Sequence, residues 1–562
     1  MAFHKADFFS NYCSQEPQVY APNRWGNTPP EPNRRIRQTE NEENDMTTTE
    51  RGPSAHQPSP LGLHPLDEDI ETDVVIIGGG IAGLSIAYAL ARRGRRCVVV
   101  ERDLVGSSGP ARLESAHLAE ALDGRYFRLE NIYGAENAAQ VARSHSAAIQ
   151  AIRETIRNEN IECDFQVLDG YLSMHPSDKI KTLRQEFEAT RRAGLPTELV
   201  SHAPGIRLRE RISLKFPAQA QFNPRRYALG LSQAVLRHGA KIFTGTQAID
   251  VDTSGATTTG GRIKANHIVV ATSAPLNTVR IHVKQLAYRS YIIGMLIDKG
   301  RIPPTLWWDT GDQHSVWSTT PYHYARVQPF NSNYDLLICG GEDHRVTNLA
   351  SGASSDEDHL NHLEAWAYDH FPAAGKIVHR SSHLRMEPID SLGYIGRNPG
   401  DSNLYIATGD AGTGLTYAAI AGLIIPDLIT GRKNPWEDLY NPSRTPVQVL
   451  GEFLGESRDT SYGYRDLGVS TDDTAEHSLS NDEGAVVRIH GRRIAVYRDG
   501  RGELHAHLAS CPHVGCGLHW DPRKRSFECP CHADSTHTGE AKRVDARIPR
   551  PGSRARKDTH RA

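Results

Sequence analysis

Residues 73–102, DVVIIGGGIAGLSIAYALARRGRRCVVVER, leave few folds open. Val74-Val75-Ile76-Ile77 is a short β-branched run, as in a strand buried on both faces. It runs into Gly78-Gly79-Gly80-Ile81-Ala82-Gly83, a G-x-G-x-x-G. In such a turn Gly78 permits the tight reversal, Gly80 lets backbone approach a pyrophosphate, and Gly83 lets helix close on strand. Residues 84–93 are rich in Ala and Leu and predict a helix with its N-terminal amides toward the phosphates. Ile81 and Ala82, just ahead of it, join the glycines as candidate contacts. Gly94 ends the helix, 97–100 form a second strand, and Glu101 stands 18 residues after Gly83. A carboxylate there accepts the ribose hydroxyls of an adenine dinucleotide, with Arg102 beside it. A glycine pattern alone is weak, but the order strand, turn, helix, strand, acid predicts a dinucleotide site.

Size and charge narrow the rest. A chain of 562 residues holds three or four domain-sized units. A net charge of -3 speaks against a nucleic-acid binder. No run approaches the ~20 apolar residues that a span requires, so no transmembrane segment is expected. The N-terminus lacks the apolar run of a secretory signal, and a cytoplasmic protein is expected. Residues 1–70 are mostly rich in Pro, Asn, Glu and Thr without apolar periodicity and predict a disordered extension.

Helices are predicted over 130–157, 177–193 and 223–238, the last capped by Asn223 with Pro224 in its first turn. The runs ANHIVVAT (265–272) and NLYIATG (403–409) predict strands returning to the first sheet. The second leads into Asp410-Ala411-Gly412-Thr413-Gly414-Leu415-Thr416 and a helix over 417–430. Residues 288–371, rich in aromatic and β-branched types, predict an antiparallel sheet forming a second lobe.

GGGIAG with Glu101, ANHIVVAT and IATGDAGTGLT together resemble the D-amino-acid-oxidase-like, glutathione-reductase-type flavoproteins, over about residues 70–440. The resemblance implies an α/β, Rossmann-type FAD-binding domain interleaved with an α+β substrate domain, the flavin lying between the lobes. It makes FAD the expected cofactor. By motif position it makes Ala271, Thr272, Asp410, Gly412, Gly414, Leu415 and Thr416 flavin contacts. It places His117 near the isoalloxazine ring and makes Tyr322, His323, Tyr324, Arg326 and His344 candidates for the substrate lobe's inner face. His117, Tyr322 and His344 are the candidate catalytic residues.

Of eight cysteines, Cys13, Cys97, Cys163 and Cys339 are scattered and read as buried thiols. Cys511, Cys516, Cys529 and Cys531 fall within 21 residues. They follow a polar, acidic stretch over 457–483 and a predicted hairpin over 485–497 around His490-Gly491. Cys511-Pro512-His513 and Cys529-Pro530-Cys531-His532 offer two thiolates and two imidazoles. Such a set can hold structural zinc or a [2Fe–2S] cluster. Zinc sites favour regular C-x-x-C pairs, whereas C-x-H with C-x-x-H is the spacing in which Cys511 and Cys529 hold one iron and His513 and His532 the other.

CPHVGC and CPCH resemble the Rieske ferredoxin domain, small and all-β. The resemblance implies a disulfide between Cys516 and Cys531. Rieske domains normally continue CPCH with Gly-Ser and close with Gly-Pro-Ala. Here Ala533-Asp534 follows His532 and no Gly-Pro-Ala occurs. Lost donors to sulfur predict a more exposed cluster of lower potential.

The order of parts resembles FAD-dependent oxidoreductases with a Rieske tail, as do ARLESAHL, PYHYARVQP, GGEDH and GRKNPWEDLYNPSR. Residues 312–321 read as an insertion, and Tyr417-Ala418 stands where relatives carry His-Gly. The expected layout is an extension over 1–70, a flavin portion over 71–440, a linker over 441–484, a Rieske domain over 485–545 and a basic tail over 546–562. The expected activity is oxidation of a small amine or amino-acid-like substrate by hydride transfer to flavin. Electrons then pass to the cluster and on to a downstream acceptor. The alternative is a flavin oxidase that uses O2, its Rieske domain cluster-free.

Overall fold

The computed structural model describes residues 61–105, 115–207, 212–272, 281, 284–313, 322–345, 355–409, 411–444, 479–489, 492–509, 518–521, 525–528 and 535–536. The expected N-terminal extension up to residue 60, the linker over 445–478 and the basic tail lie outside them.

The glycine turn sits at the centre of a sheet. Strand Ile70–Ile77 runs parallel to Arg262–Val270 on one side and to Cys97–Val100 on the other. Leu404–Thr408 extends the sheet in parallel beyond Arg262–Val270, and Lys241–Phe243 beyond Cys97–Val100. Both returning strands therefore lie where ANHIVVAT and NLYIATG predict them. The first strand reaches four residues further back than its apolar run, because Ile70 and Thr72 pair with Ile263 and Ala265. Helix Ile81–Ala91 packs on helix Gly414–Ile429 so closely that a Cβ on Gly422 would lie 2.8 Å from that of Ser85.

A second, nine-stranded sheet carries the other lobe. Strands Ile377–Pro388, Gln285–Asp298, Tyr334–Arg345, His323–Pro329 and Leu306–Asp309 are antiparallel in that order. Leu306–Asp309 then runs parallel to Gln166–Ser173, which pairs with Ser213–Gln221, and His117–Leu118 closes the edge. Period-two alternation gives this sheet two apolar faces. Leu306, Trp308, Tyr324, Leu336 and Ile338 join one core with Ile81, Leu84 and Leu415 of the nucleotide layer. Trp307, Ala325, Leu337 and Cys339 face a separate core with Leu363 and Phe371.

Two expectations change. The helix expected over 130–157 is two helices, Tyr126–Tyr133 and Ala135–Glu159, broken at Gly134 with φ +82°. The segment 288–371 also holds helix Asp356–His370, started by a capping box of Ser355 and Asp358. The surrounding aromatic and β-branched composition hid that local signal.

Among its described residues the C-terminal portion holds strands and no helix. Glu483–Ile489, Arg492–Arg498 and Leu504–Leu508 form one antiparallel sheet, the first pair being the predicted hairpin. His519–Asp521, Ser526–Glu528 and Ser535–Thr536 form another. Tyr497, Ala509, Leu518 and Phe527 make their common core. Among the described residues no helix is long and apolar enough to cross a membrane.

Candidate functional site

The glycine turn shows how sequence becomes a cradle. Gly78 has φ +106°, and a Cβ on it would stand 2.6 Å from Ala271 O. A Cβ on Gly83 would stand 2.0 Å from Gly78 O, so the helix approaches the turn only because that residue has none. A Cβ on Gly80 would meet nothing within 4 Å. Gly80 therefore opens onto free space at the N-terminus of Ile81–Ala91, the place for an anionic diphosphate. Beside it, the buried Glu101 carboxylate accepts N–H bonds from Gly79 at 2.7 Å and Asp103 at 2.9 Å. Burial raises its pKa against those two bonds. Arg102 turns to the surface beside Asp103, at 3.4 Å.

The second glycine loop meets this cradle's neighbour. Ala271 N–H continues the strand ladder to Ile77 O at 2.8 Å and brings Ala271 and Thr272 against the turn. Gly412 has φ +74°, and a Cβ there would fall 1.5 Å from Asp123 Oδ2. Gly414 opens helix Gly414–Ile429, with Leu415 and Thr416 buried in its first turn. Asp410 lies outside the described residues. Thr413 Oγ1 and Thr416 Oγ1 are buried without a hydrogen-bond partner among the described residues. Space at Gly80, an acid at the ribose position and two orphaned hydroxyls in the second loop fit a flavin dinucleotide.

On the inner face of the large sheet, His117 and Tyr322 are joined through Tyr324, whose ring lies 5.7 Å from the first and 6.1 Å from the second. His117 Nε2 donates to Ala325 O at 3.2 Å, since a carbonyl only accepts. Burial and nearby Arg326 push its pKa down to about 3, so the imidazole is neutral and its lone pair is on Nδ1. Tyr322 Oη accepts from Arg385 Nη1 at 3.0 Å.

His344 does not join them. It stacks on His359 at 4.2 Å and on Tyr291 at 5.8 Å, against helix Asp356–His370 on the sheet's far side. His323 also faces away, its ring stacked on Trp366 at 4.6 Å. Gly341 at φ +138° and Glu342 at φ +54° interrupt the simple alternation that guides such assignments.

His323 instead forms a buried triad, with Asp309 Oδ2 at 3.1 Å and Glu342 Oε1 at 2.9 Å. Burial disfavours its charge, yet the two carboxylates outweigh that and carry its pKa to about 9. A raised folded pKa stabilises fully below the unfolded value, and the gain is lost as pH rises through about 9. The gain is of order 3 kcal/mol. The thermal midpoint should fall between about pH 7 and 9.5, less steeply for His323→Gln, as differential scanning fluorimetry can read.

Arg385 belongs to no motif that sequence reasoning singles out. It lies in strand Ile377–Pro388, with Asp343 Oδ2 at 3.1 Å, Glu387 Oε1 at 3.0 Å and Asp123 Oδ2 at 3.7 Å. Its short motif LRMEP carries no pattern; only strand pairing brings it beside Tyr322.

Cys511, His513, Cys529 and His532, with Cys516 and Cys531, lie outside the described residues. The strands around them are described. Ser526–Glu528 ends directly before Cys529 in the sequence, and Leu518 N–H bonds Ala509 O at 3.1 Å. Two thiols with two imidazoles are, by type, the donor set that a [2Fe–2S] centre with mixed ligation takes. Cys97, Cys163 and Cys339 are buried free thiols.

Known proteins share both parts. The family of FAD dependent oxidoreductases matches residues 73–428, and the Rieske [2Fe-2S] domain matches residues 471–550. YhfW of Bacillus subtilis, provisionally named a Rieske 2Fe-2S iron-sulfur protein, is 27% identical over 83% of this chain and 90% of its own. The gamma-glutamylputrescine oxidoreductase of Escherichia coli is 26% identical over 68% of this chain and 89% of its own. The crystal structure of L-proline dehydrogenase from P. horikoshii shares the fold, with TM-score 0.52 and 20% identity over 68% of this chain and 98% of that one. The match over residues 73–428 and the cradle built there lead to one conclusion: the chain belongs to the family of FAD dependent oxidoreductases, with FAD as its cofactor and a Rieske domain that implies a [2Fe–2S] cluster.

Proposed function

We propose that this oxidoreductase dehydrogenates a small amine or amino-acid-like substrate and passes the electrons to its own Rieske cluster, then to a downstream acceptor. The reading rests on one observation above all: a flavin family and a one-electron centre occupy a single chain. FAD, when bound, accepts a hydride and releases electrons singly, which is what joins a two-electron donor to a one-electron cluster.

In this reading Gly78, Gly80, Ile81, Ala82 and Gly83 hold the diphosphate, and Glu101 with Arg102 holds the ribose. Ala271, Thr272, Asp410, Gly412, Gly414, Leu415 and Thr416 line the flavin. His117, kept neutral, and Tyr322 border the substrate's place; neither charges at neutral pH, so both orient rather than attract. Cys511 and Cys529 hold one iron, His513 and His532 the other, and Cys516 pairs with Cys531. His344 is left out of the reacting set, since its partners are on the helix side of the sheet. The proposed boundaries are those of the expected layout, and the proposed place is the cytoplasm, in keeping with the buried free thiols.

Anaerobic stopped-flow mixing with an amine panel tests the relay. Flavin bleaching followed by one-electron reduction of the cluster supports it. Flavin bleaching with an unchanged cluster, and peroxide formed on adding O2, contradicts it and favours an oxidase.

A further inference from the structure

A cavity of about 140 Å³ opens at one end of the large sheet, on the side that helix Asp356–His370 covers. The ends of strands Gln166–Ser173 and Leu306–Asp309 frame it, and the last turn of the helix lies against it. Met174, Ile206, Trp307 and Trp308 give it apolar walls, while Trp366 and His370 bring polar edges. A space of that size takes about one six-membered ring. His117, Tyr322, Tyr324 and Arg385 do not line it, so it is distinct from the site on the inner face. Trp308 links the two, its ring also lying 5.5 Å from that of His117.

Most polar groups around the cavity are already engaged. Asp309 accepts from Gly311 N–H at 2.9 Å, His323 N–H at 3.0 Å and His323 Nδ1 at 3.1 Å. Trp307 Nε1 donates to Pro204 O at 2.8 Å, and His175 Nδ1 lies 2.7 Å from Ser177 Oγ. The Asp369 carboxylate is 54% exposed at the rim and stays in water. On the helix, two nitrogens are left. His370 Nδ1 donates to Trp366 O at 2.8 Å, since a carbonyl only accepts. Burial lowers its pKa, so the ring is neutral and Nε2 keeps a lone pair. That Nε2 and the Trp366 Nε1–H have no hydrogen-bond partner among the described residues. The two rings stack at 4.6 Å, and His323 stacks on Trp366 at the same distance, so both are held in place. One acceptor thus stands beside one donor. A hydroxyl satisfies both, donating to the imidazole and accepting from the indole N–H, whereas a methyl satisfies neither.

We propose that this cavity is a second small-molecule site, for a neutral six-membered aromatic ring carrying a hydroxyl group. The site stands whether or not the amine-oxidising reading above holds.

4-Fluorophenol and 4-fluorotoluene differ only in hydroxyl against methyl, and fluorine NMR titration of the full-length holoprotein reads the binding of each. 4-Fluorophenol should bind saturably and be displaced by phenol, with the flavin bands unmoved. His370→Phe keeps a stacked ring and removes the acceptor; 4-fluorophenol should then bind about tenfold more weakly, with 4-fluorotoluene little changed. Ile206→Phe and Met174→Phe each add bulk to a wall and should weaken both probes at least tenfold. Two filling variants are used so that one failing to retain flavin leaves the other to decide. No saturable binding of 4-fluorophenol to the wild type overturns the proposal. So does an equal loss of both probes in His370→Phe, because the hydroxyl is then not what the site reads. Binding that survives in the filled variants, or a probe-induced shift of the flavin bands, places the ring elsewhere and likewise overturns it.

Discussion

Gly83→Ala should yield a protein without flavin. The new methyl would stand 2.0 Å from Gly78 O and 3.2 Å from Ile76 Cγ2, both parts of the turn and strand that form the cradle. Neither can retreat: Ile76 is buried at the sheet centre and Gly78 N–H is bonded to Val100 O at 2.9 Å. Helix Ile81–Ala91 must move instead, taking its N-terminal amides with it. Overpacking of this kind costs about 1–3 kcal/mol in stability, and FAD affinity should fall at least tenfold. Gly80→Ala separates the two effects. Its methyl meets no protein atom within 4 Å, so apoprotein stability should hold while FAD affinity falls, because the methyl enters the diphosphate's space. Flavin titration and apoprotein melting distinguish them; equal flavin content in wild type and both variants would refute the cradle.

Arg444→Ala should destabilise the flavin portion more than any surface change. Its guanidinium makes two 3.0 Å contacts to Asp390, which has a fully buried side chain, and lies 4.0 Å over the Tyr394 ring. It also donates to Gly393 O at 2.8 Å. Its own backbone is held as well, Lys284 Nζ donating to Arg444 O at 2.7 Å and to Pro442 O at 3.2 Å. Removing the cation leaves Asp390 charged and dry, a loss of about 3–5 kcal/mol. The thermal midpoint should drop by roughly 5–15 °C. The double variant Arg444→Met with Asp390→Leu should recover much of that loss, because an apolar pair leaves no buried charge. A midpoint unchanged in Arg444→Ala would contradict the assignment. This ion pair gives GRKNPWEDLYNPSR, conspicuous in the sequence, a structural role: it ties the segment's last residue to Asp390, just ahead of strand Tyr394–Arg397.

The nucleotide layer was legible because its signals are local. A β-branched run, three glycines and an acid at fixed spacing each act within a few residues, and the parallel ladder of Ile70–Ile77 with Arg262–Val270 and Cys97–Val100 follows. The cap of Pro224–Arg237 was equally local, Asn223 Oδ1 accepting from Arg226 N–H at 3.1 Å. The substrate lobe was legible only as a lobe. Which side chains meet there depends on strand pairing over long separations and on the irregular stretch Gly341–Glu342, so His344 falls on the far face. Arg385 was invisible for the same reason: Asp123, Asp343 and Glu387 come from distant segments and share no motif.

The most direct measurement is a visible spectrum of freshly purified protein paired with low-temperature EPR after dithionite reduction. Flavin bands should appear together with the signal of a reduced Rieske cluster, one cluster per flavin. That signal should be lost in Cys529→Ser while the flavin bands persist. Flavin bands with no iron–sulfur signal, even after anaerobic reconstitution with iron and sulfide, would contradict a two-centre enzyme.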